Sequence, residues 1–251
     1  MPKFFVKDEQ INKPYIKIIN DDINHIKNVL RLNVGDCIQI CNSDTGENYN
    51  AKIEELANSN IKCRIENIID SSSESNVYIH IFQGLPKADK MELIIQKCTE
   101  LGVQAITPVD MERSIVKLNS RDAEKKLARW QKIAEVAAKQ SMRDIVPQIG
   151  NIINIREISE VVNEYDVVLV AYELEKNNYI KNELLKIKDN KKEYKIAVII
   201  GPEGGIEEKE IQVLKEIGCK IISLGKRILR TETVAINVSS IIMYELENGG
   251  N

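Results

Sequence analysis

The side chains best suited to chemistry lie near the end of the sequence, in the segment Leu224-Gly-Lys-Arg-Ile-Leu-Arg-Thr-Glu-Thr-Val-Ala235. Arg227 and Arg230 stand three residues apart just before a predicted helix, and such a pair can bind a phosphate or the edge of a nucleotide base. Glu232 can take part in the chemistry next to Arg230, or it can simply form an ion pair with Arg230. It can also occupy a first helical turn, where the helix dipole favours a carboxylate. Thr231 also fits an N-cap. The pattern alone leaves these alternatives open.

A second unusual segment is Ile199-Ile-Gly-Pro-Glu-Gly-Gly205, an apolar run that breaks into glycine. No Gly-Lys-Ser/Thr follows, so it is not a Walker A loop, and its glycine spacing differs from the dinucleotide fingerprint. Glycine lets a flat ligand approach the backbone, and Pro202 stiffens the loop by fixing its φ angle. Together with Gly225, the segment predicts a ligand crevice at the carboxyl edge of an α/β sheet. An ordinary strand-to-helix turn would share this spacing.

These two loops need a scaffold in which strands alternate with helices, and the sequence predicts one from Val77 onward. Continuous apolar runs there are typical of parallel strands buried on both faces. The predicted strands are Val77–Phe82, Val103–Val109, Asp166–Ala171, Ile196–Ile200 and Lys220–Leu224. The predicted helices are Met91–Leu101, Asp122–Ser141, Glu207–Ile217 and Thr233–Glu247.

The first 70 residues follow a different pattern, that of a small β-rich domain. Short β-prone runs are separated by turn residues, and they comprise Phe4–Val6, Tyr15–Ile19, Cys37–Cys41, Tyr49–Ile53 and Ile61–Ile69. One helix interrupts them, with Ile23, Ile26, Val29 and Leu30 predicted on its buried face. The polar residues 71–76 read as a linker. We therefore expect a domain over 1–70, a linker over 71–76 and a second domain over 77–251.

Composition excludes several classes of protein. The chain has 251 residues, 43% of them hydrophobic, and no apolar run approaches the roughly 20 residues that span a bilayer. The N-terminus shows no signal-peptide pattern, so we expect a cytoplasmic protein without a membrane partner. Five cysteines, an odd number, fit reduced thiols better than disulfides. Cysteine and histidine show no ligand spacing, and no metal site is expected.

The net charge of −3 hides an uneven distribution, because residues 82–150 carry a net positive charge. A local patch can bind phosphates on an acidic protein, since charges are screened beyond about 10 Å. Lys27 and Arg31 lie four residues apart, the spacing of one helix face. Arg113 and Arg143 follow a predicted strand and a predicted helix, where loop side chains often face ligands. Solvated surface is the alternative for all four residues.

The two C-terminal loops resemble those of a known family. Gly201-Pro-Glu-Gly-Gly205 and Leu224-Gly-x-Arg-Ile-Leu-Arg-Thr-Glu-Thr233 are similar to the RsmE family of 16S rRNA uridine N3-methyltransferases, in the SPOUT (α/β-knot) superfamily. Further matching segments are Lys90–Gly102, Glu112–Leu118 and Arg129–Ile133, and Phe4–Val6 with His25–Asp36 resemble the family's PUA-like domain. The resemblance covers essentially the whole chain. Lys226 stands where the family usually has proline, and Met142 where it often has glycine.

The resemblance implies an α/β fold: a methyltransferase domain with a deep trefoil knot, preceded by a PUA-like β-barrel that binds RNA. It also implies S-adenosylmethionine as cofactor and a homodimer. By the same resemblance, the cofactor pocket comprises Tyr172, Glu173, Ile200, Gly201, Pro202, Gly205, Leu224, Gly225, Ile228 and Leu229.

The implied reaction is methylation of N3 of a uridine in 16S rRNA of the 30S subunit. We expect Arg230 to stabilise the negative charge that develops on the uracil ring, and Glu232 to accept a proton or to orient Arg230. Lys27, Arg31, Arg113 and Arg143 are expected to bind RNA phosphates. One alternative is a SPOUT enzyme acting on another RNA, such as a tRNA ribose 2′-O position. The other is a non-catalytic RNA-binding factor.

Overall fold

The computed structural model describes residues 1–69, 73–188 and 193–247, which divide into two units. The first unit contains residues 1–74 and 138–146, and the second contains residues 75–137 and 147–251. In the predicted linker, Ser71 and Ser72 lie outside the described residues. Met142, where glycine was noted as common in the family, has φ of 60°, a left-handed conformation that favours glycine.

The first unit is built on one six-stranded sheet. Its strands are β1 (Lys3–Val6), β2 (Ile11–Asn12), β3 (Tyr15–Ile18), β4 (Cys37–Asn42), β5 (Asn48–Leu56) and β6 (Ile61–Ile69), in the order β1-β4-β5-β6-β3-β2. Alternate residues of these strands are buried, as expected for a sheet with one covered face. A single apolar core draws on five of the six strands, so the sheet curves around it.

The helix of the first unit differs from the prediction. Helix α1 (Asp21–Asn24) continues as a π-helical turn over His25–Val29. Ile26 is buried, whereas Val29 is 64% exposed and Leu30 is 36% exposed. The predicted buried face was therefore wrong at its C-terminal end, because a π turn has more residues per turn than the α-helix on which the spacing was counted.

The second unit contains a parallel sheet with helices. Its strands are β7 (Val77–Gly84), β8 (Ala105–Asp110), β9 (Gln148–Ile149), β10 (Ile153–Asn154), β11 (Val167–Ala171), β12 (Tyr194–Ile200) and β13 (Lys220–Ile222). The order is β10-β8-β7-β12-β11-β13, with β9 also beside β8. Every pairing described in this sheet is parallel. Residues Ile196–Ile200 of the central strand β12 are all buried, as their continuous apolar run predicts.

The helices connect these strands and cover the sheet. They are α2 (Lys90–Glu100), α3 (Ser120–Gln140), α4 (Ile158–Val161), α5 (Ile180–Ile187), α6 (Glu208–Glu216) and α7 (Thr231–Leu246). Helix α7 packs against α2, β7 and β12, so this helix lies over the middle of the sheet. The predicted C-terminal helix begins two residues earlier than expected, at Thr231. Helix α5 had no counterpart in the sequence prediction.

His80, on β7, gives the second unit a pH-dependent stability. Its Nδ1 lies 2.6 Å from the Tyr165 hydroxyl and its Nε2 lies 2.8 Å from Thr107 Oγ1. Burial, with a smaller contribution from Lys195, lowers the pKa of His80 to about 4 from 6.5. The unfolded chain therefore binds this proton more readily between these two pH values. The stabilisation is complete above pH 6.5 and is lost as the pH falls toward 4.

We expect the stability advantage of wild type over His80→Gln to shrink by on the order of 2 kcal/mol between about pH 7.5 and about pH 4.5. Urea unfolding of both proteins at the two pH values measures this change. A constant difference would show that His80 binds its proton equally in the folded and unfolded states.

Residues 1–69, 73–188 and 193–247 lack two features that mark other classes of protein. No helix there has the length and apolar composition required to cross a bilayer. Those same residues contain no cluster of three or more His, Cys, Asp or Glu side chains placed to bind a metal ion. All five cysteines are free thiols.

Candidate active site

Three neighbouring strands of the second unit end at the same edge of the sheet and form the candidate site. The carboxyl ends of β12, β11 and β13 lie side by side because all three strands are parallel. The chain after β11 stays close to β13, since the amide of Tyr172 donates to the Ile222 carbonyl. The Ser223 amide donates a further hydrogen bond, of 2.8 Å, to the Asn178 carbonyl. Ligands of open α/β sheets commonly bind at such an edge.

A cavity of about 460 Å³ opens at this edge, within the usual size range of small-molecule sites. All ten residues predicted to form the cofactor pocket line it, namely Tyr172, Glu173, Ile200, Gly201, Pro202, Gly205, Leu224, Gly225, Ile228 and Leu229. Arg227 and Arg230 line it as well. The structure therefore brings together two glycine loops that are separated in the sequence by helix α6 and strand β13.

The segment Gly201–Gly205, which we call the first glycine loop, contains glycines that close packing requires. A Cβ on Gly201 would lie 2.8 Å from Ile206 Cγ1 and 3.0 Å from the carbonyl carbon of Gly205. Gly205 has φ of 73°, and a Cβ there would lie 2.5 Å from the Glu173 carboxylate. Gly84, at the end of β7, supports the same loop, since its Cβ would lie 2.7 Å from the backbone nitrogen of Pro202. No sequence pattern indicated a role for Gly84.

Thr231 connects the start of α7 to the first loop. Its hydroxyl donates to the Gly201 carbonyl at 2.7 Å and accepts from Gln83 Nε2 at 2.8 Å. The N-cap position belongs to Arg230, and neither side chain caps the helix, so the N-cap interpretation of Thr231 was wrong. Gln83 Oε1 is buried with no hydrogen-bond partner within the described part of the chain.

Replacing Thr231 by valine should lower the free energy of unfolding by about 1–3 kcal/mol, because Gln83 Nε2 and the Gly201 carbonyl each lose a partner. Urea unfolding measures the change. Thr233→Val is the matched control, since Thr233 is exposed on the same helix. The control should stay within about 0.5 kcal/mol of wild type. Equal losses in both variants would contradict a structural role for the Thr231 hydroxyl.

Lys90, at the start of α2, lies between two carboxylates of the site. Its Nζ is 2.8 Å from Glu203 Oε1 and 3.4 Å from Glu232 Oε2. The hydrogen bond to Glu203 is the main reason that the pKa of Lys90 is raised. Burial alone would raise the pKa of Glu203, but hydrogen bonds from Lys90 and from backbone amides hold it below its ordinary value. Lys90 thus connects α2, the first loop and α7.

Glu232 lies in the first turn of α7, and its side chain is 12% exposed. Its ion pair is with Lys90 rather than with Arg230, so the simple Arg230–Glu232 pair considered from the sequence is not formed. Glu232 Oε2 is buried and accepts no hydrogen bond from any described residue. Arg230 is exposed and lines the cavity, and none of the described carboxylates forms an ion pair with it. The site therefore presents an unpaired guanidinium near a covered carboxylate.

The four residues predicted to bind RNA occupy different environments. Arg31 is exposed, and Lys27 donates to Asn58 Oδ1 at 2.8 Å. Arg113 donates to Glu207 Oε2 at 2.6 Å and to the Gly204 carbonyl at 3.1 Å, so it supports the first glycine loop. Arg143 has a side chain only 5% exposed and pairs with Glu74 at 2.5 Å. A guanidinium covered in this way is not presented to RNA, and we withdraw Arg143 from the phosphate-binding set.

Sequence reasoning missed Lys90, Glu203, Gln83 and Gly84. Lys90 begins one of the segments that carry the family resemblance, which was the available signal. Its helical spacing does not reveal that its ammonium group reaches two segments more than 100 residues further along the chain. Gln83 and Gly84 directly follow the predicted strand Val77–Phe82, and the structure extends β7 to include them. They lie at the edge where the glycine loops were expected, but their residue types gave no signal there.

Comparison with known proteins agrees with this geometry. Residues 73–243 match the profile of an RNA methyltransferase domain, and residues 18–66 match that of an RNA methyltransferase PUA domain. Ribosomal RNA small subunit methyltransferase E of Bacillus subtilis is 36% identical over 251 residues, covering 98% of each chain. The chain belongs to this methyltransferase E family. The Mesomycoplasma hyopneumoniae member is also 36% identical and covers 94% of this chain and 96% of its own.

Solved structures of similar proteins share the fold. The Neisseria gonorrhoeae ribosomal RNA small subunit methyltransferase E bound to S-adenosyl methionine is 30% identical, with a TM-score of 0.85 over 98% of each chain. A putative methyltransferase from Legionella pneumophila in complex with the cofactor SAM is 27% identical, with a TM-score of 0.84 over 96% of each chain. The predicted family membership, and the combination of a PUA domain with an α/β methyltransferase domain, are confirmed.

Proposed function

We propose that this protein uses S-adenosylmethionine to methylate N3 of a uridine in 16S rRNA. The observation that carries the proposal is the cavity at the ends of β11, β12 and β13, where the two glycine loops of the family meet Arg230. Relatives that cover nearly the whole chain are named as small-subunit rRNA methyltransferases, and one was solved with S-adenosyl methionine. The finer assignment to uridine N3 rests on the family resemblance.

The residues present fit a cofactor with a flat base and a charged methionine part. Gly201 and Gly205 line the cavity with backbone alone, which lets a flat ring approach closely, and Glu173 offers a carboxylate to a positive group. Tyr172, Ile200, Pro202, Leu224, Gly225, Ile228 and Leu229 would form the rest of the pocket. When bound, S-adenosylmethionine supplies an electrophilic methyl group on a sulfonium centre.

Arg230 and Glu232 carry the chemistry on the RNA side. The uracil N3 bears a proton, so the ring must approach an anion before it can act as a nucleophile. Arg230 donates hydrogen bonds to a uracil carbonyl oxygen, where negative charge develops, and such preorganised donors lower a barrier most in a partly dehydrated site. Glu232 accepts the N3 proton. Its buried Oε2, which accepts no hydrogen bond from the described residues, keeps acceptor capacity available.

Several parts of the proposal reach beyond the family assignment. They are the 30S subunit as the form in which the rRNA is recognised, a homodimer, a cytoplasmic location and a knotted methyltransferase domain. Lys27 and Arg31 stay in the proposed RNA-binding set, and Arg113 is assigned instead to holding the first glycine loop. The domain boundaries at residues 70 and 77 also stay predictions.

A genetic experiment tests the proposed function in cells. Deleting the gene should remove 3-methyluridine from the nucleosides of purified 16S rRNA, and a plasmid copy should restore it. Mass spectrometry of the digested rRNA measures the nucleoside. Loss of a 2′-O-methylated nucleoside from tRNA instead would favour the alternative of a SPOUT enzyme for another RNA.

A further inference from the structure

The outer face of the first unit's sheet carries cations around one aromatic ring. On β3, β5 and β6, residues alternate between the core and this face, and the core positions are buried. We call the set formed by Tyr15, Lys17, Lys52, Lys62 and Arg64 the basic strip. Lys17, Lys52 and Arg64 are exposed, and Tyr15 and Lys62 are partly buried.

The strand register places these five side chains next to one another. Tyr15 pairs with Arg64, which in turn pairs with Lys52 on its other side. Lys17 pairs with Lys62 one row away, and Glu55 pairs with Lys62 on its other side. Strands lie about 5 Å apart, and side chains on one face repeat every ~7 Å, so four positive groups share a small area.

This arrangement opposes stability, because like charges directly opposite each other in a sheet are destabilising. Lys62 is partly compensated, since its Nζ lies 3.8 Å from the centroid of the Tyr15 ring and 3.9 Å from Glu54 Oε2. Across residues 1–69, 73–188 and 193–247, no carboxylate forms an ion pair with Lys17, Lys52 or Arg64. Two opposed cation pairs on one face are therefore not explained by the packing of the unit.

We propose that the basic strip binds the phosphate backbone of a single-stranded stretch of the substrate RNA, with Tyr15 packing against a base. A groove or face that combines positive charge with an aromatic ring suits single strands, because the cations follow the backbone and any base can stack on the ring. The inference rests on the proposed RNA substrate. It adds a binding surface on the first unit that is separate from Lys27 and Arg31.

The double variant Lys17→Gln/Lys52→Gln tests the cations. It removes one member of each opposed pair and leaves the Lys62–Tyr15 contact in place. The probe is a fluorescein-labelled single-stranded RNA of about a dozen nucleotides from the substrate region, a length that one such surface can cover. We expect the slope of log affinity against log salt concentration to become shallower by about 1.4, which corresponds to two lost phosphate contacts. The melting temperature should stay level or rise, because like-charge repulsion is relieved.

The matched control is Lys125→Gln/Lys181→Gln, which removes two exposed lysines from helices of the second unit. Its salt slope should equal that of wild type. If the strip variant binds RNA with an unchanged affinity and slope, the basic strip is solvated surface and the inference is wrong. Methyl transfer by wild type is measured in the same preparations, so failure of the proposed function would appear separately, as absent transfer.

Two variants of Tyr15 test whether its ring packs against a base. Tyr15→Phe keeps the ring and should bind the RNA as wild type does. Tyr15→Leu should bind at least about fivefold more weakly with an unchanged salt slope, because stacking is lost without loss of charge. Equal affinities for the two variants, both folded by their melting curves, would remove the base contact from the proposal.

Discussion

Replacing Arg230 by alanine is expected to lower the rate constant for methyl transfer by about 100- to 1,000-fold, the usual effect of losing one donor to a developing negative charge. The affinity for S-adenosylmethionine should change little, because the assigned role of the guanidinium is toward the uracil. Single-turnover transfer to 30S subunits measures the rate, and calorimetric titration measures cofactor binding. Arg230 is exposed and makes no ion pair with the described carboxylates, so the fold should tolerate the change.

Arg227→Ala is the control for this experiment. Arg227 lines the same cavity and is also exposed, so its loss removes the same charge from the same loop. Its transfer rate should fall much less than that of R230A. Comparable rates for the two variants would show that the loop provides general positive charge and that Arg230 has no specific role at the reacting base.

Replacing Gly84 by alanine should weaken S-adenosylmethionine binding by at least about tenfold and reduce transfer to a similar or greater degree, since small displacements of a site are costly. The added Cβ would lie 2.6 Å from Pro202 Cδ and 2.7 Å from the Pro202 backbone nitrogen. Proline cannot rotate away, so the first glycine loop must shift as a whole. Titration with the cofactor measures the affinity directly.

Gly218→Ala separates this effect from general destabilisation. Gly218 has φ of 93°, and nothing lies within 4 Å of its added Cβ. The control should therefore lose stability through backbone strain yet bind the cofactor with wild-type affinity. If G84A, folded at the assay temperature, binds the cofactor as tightly as G218A, the packing of Gly84 against Pro202 does not shape the pocket.

The parallel sheet was predictable because its central strands are continuous apolar runs. β11 and β12 begin and end within two residues of the predictions, and Gly201 directly follows the end of β12. Helix α5 was missed because it has only eight residues, in which apolar and charged side chains are mixed. The π turn after α1 was missed for another reason, since helical spacing was counted on α-helical geometry.

The loops of the candidate site could be predicted from the sequence, whereas most of the residues that hold those loops in place could not. Gly201, Gly205 and Gly225 can be recognised from the sequence, because they are glycines in segments that follow apolar runs. Lys90 and Gln83 act through contacts with residues more than 100 positions away, and no local pattern encodes such contacts. Arg143 shows the converse error. A loop position made it a candidate for RNA binding, but the Glu74 carboxylate that covers it could not be inferred from spacing.

The most direct test of the central claim is methyl transfer by the purified protein from labelled S-adenosylmethionine to 30S subunits that lack the modification. Nucleoside analysis of the labelled 16S rRNA identifies the acceptor atom. We expect label in 3-methyluridine and its near-absence with R230A. Label in any other nucleoside, or tight cofactor binding with no transfer to 30S subunits, would contradict it.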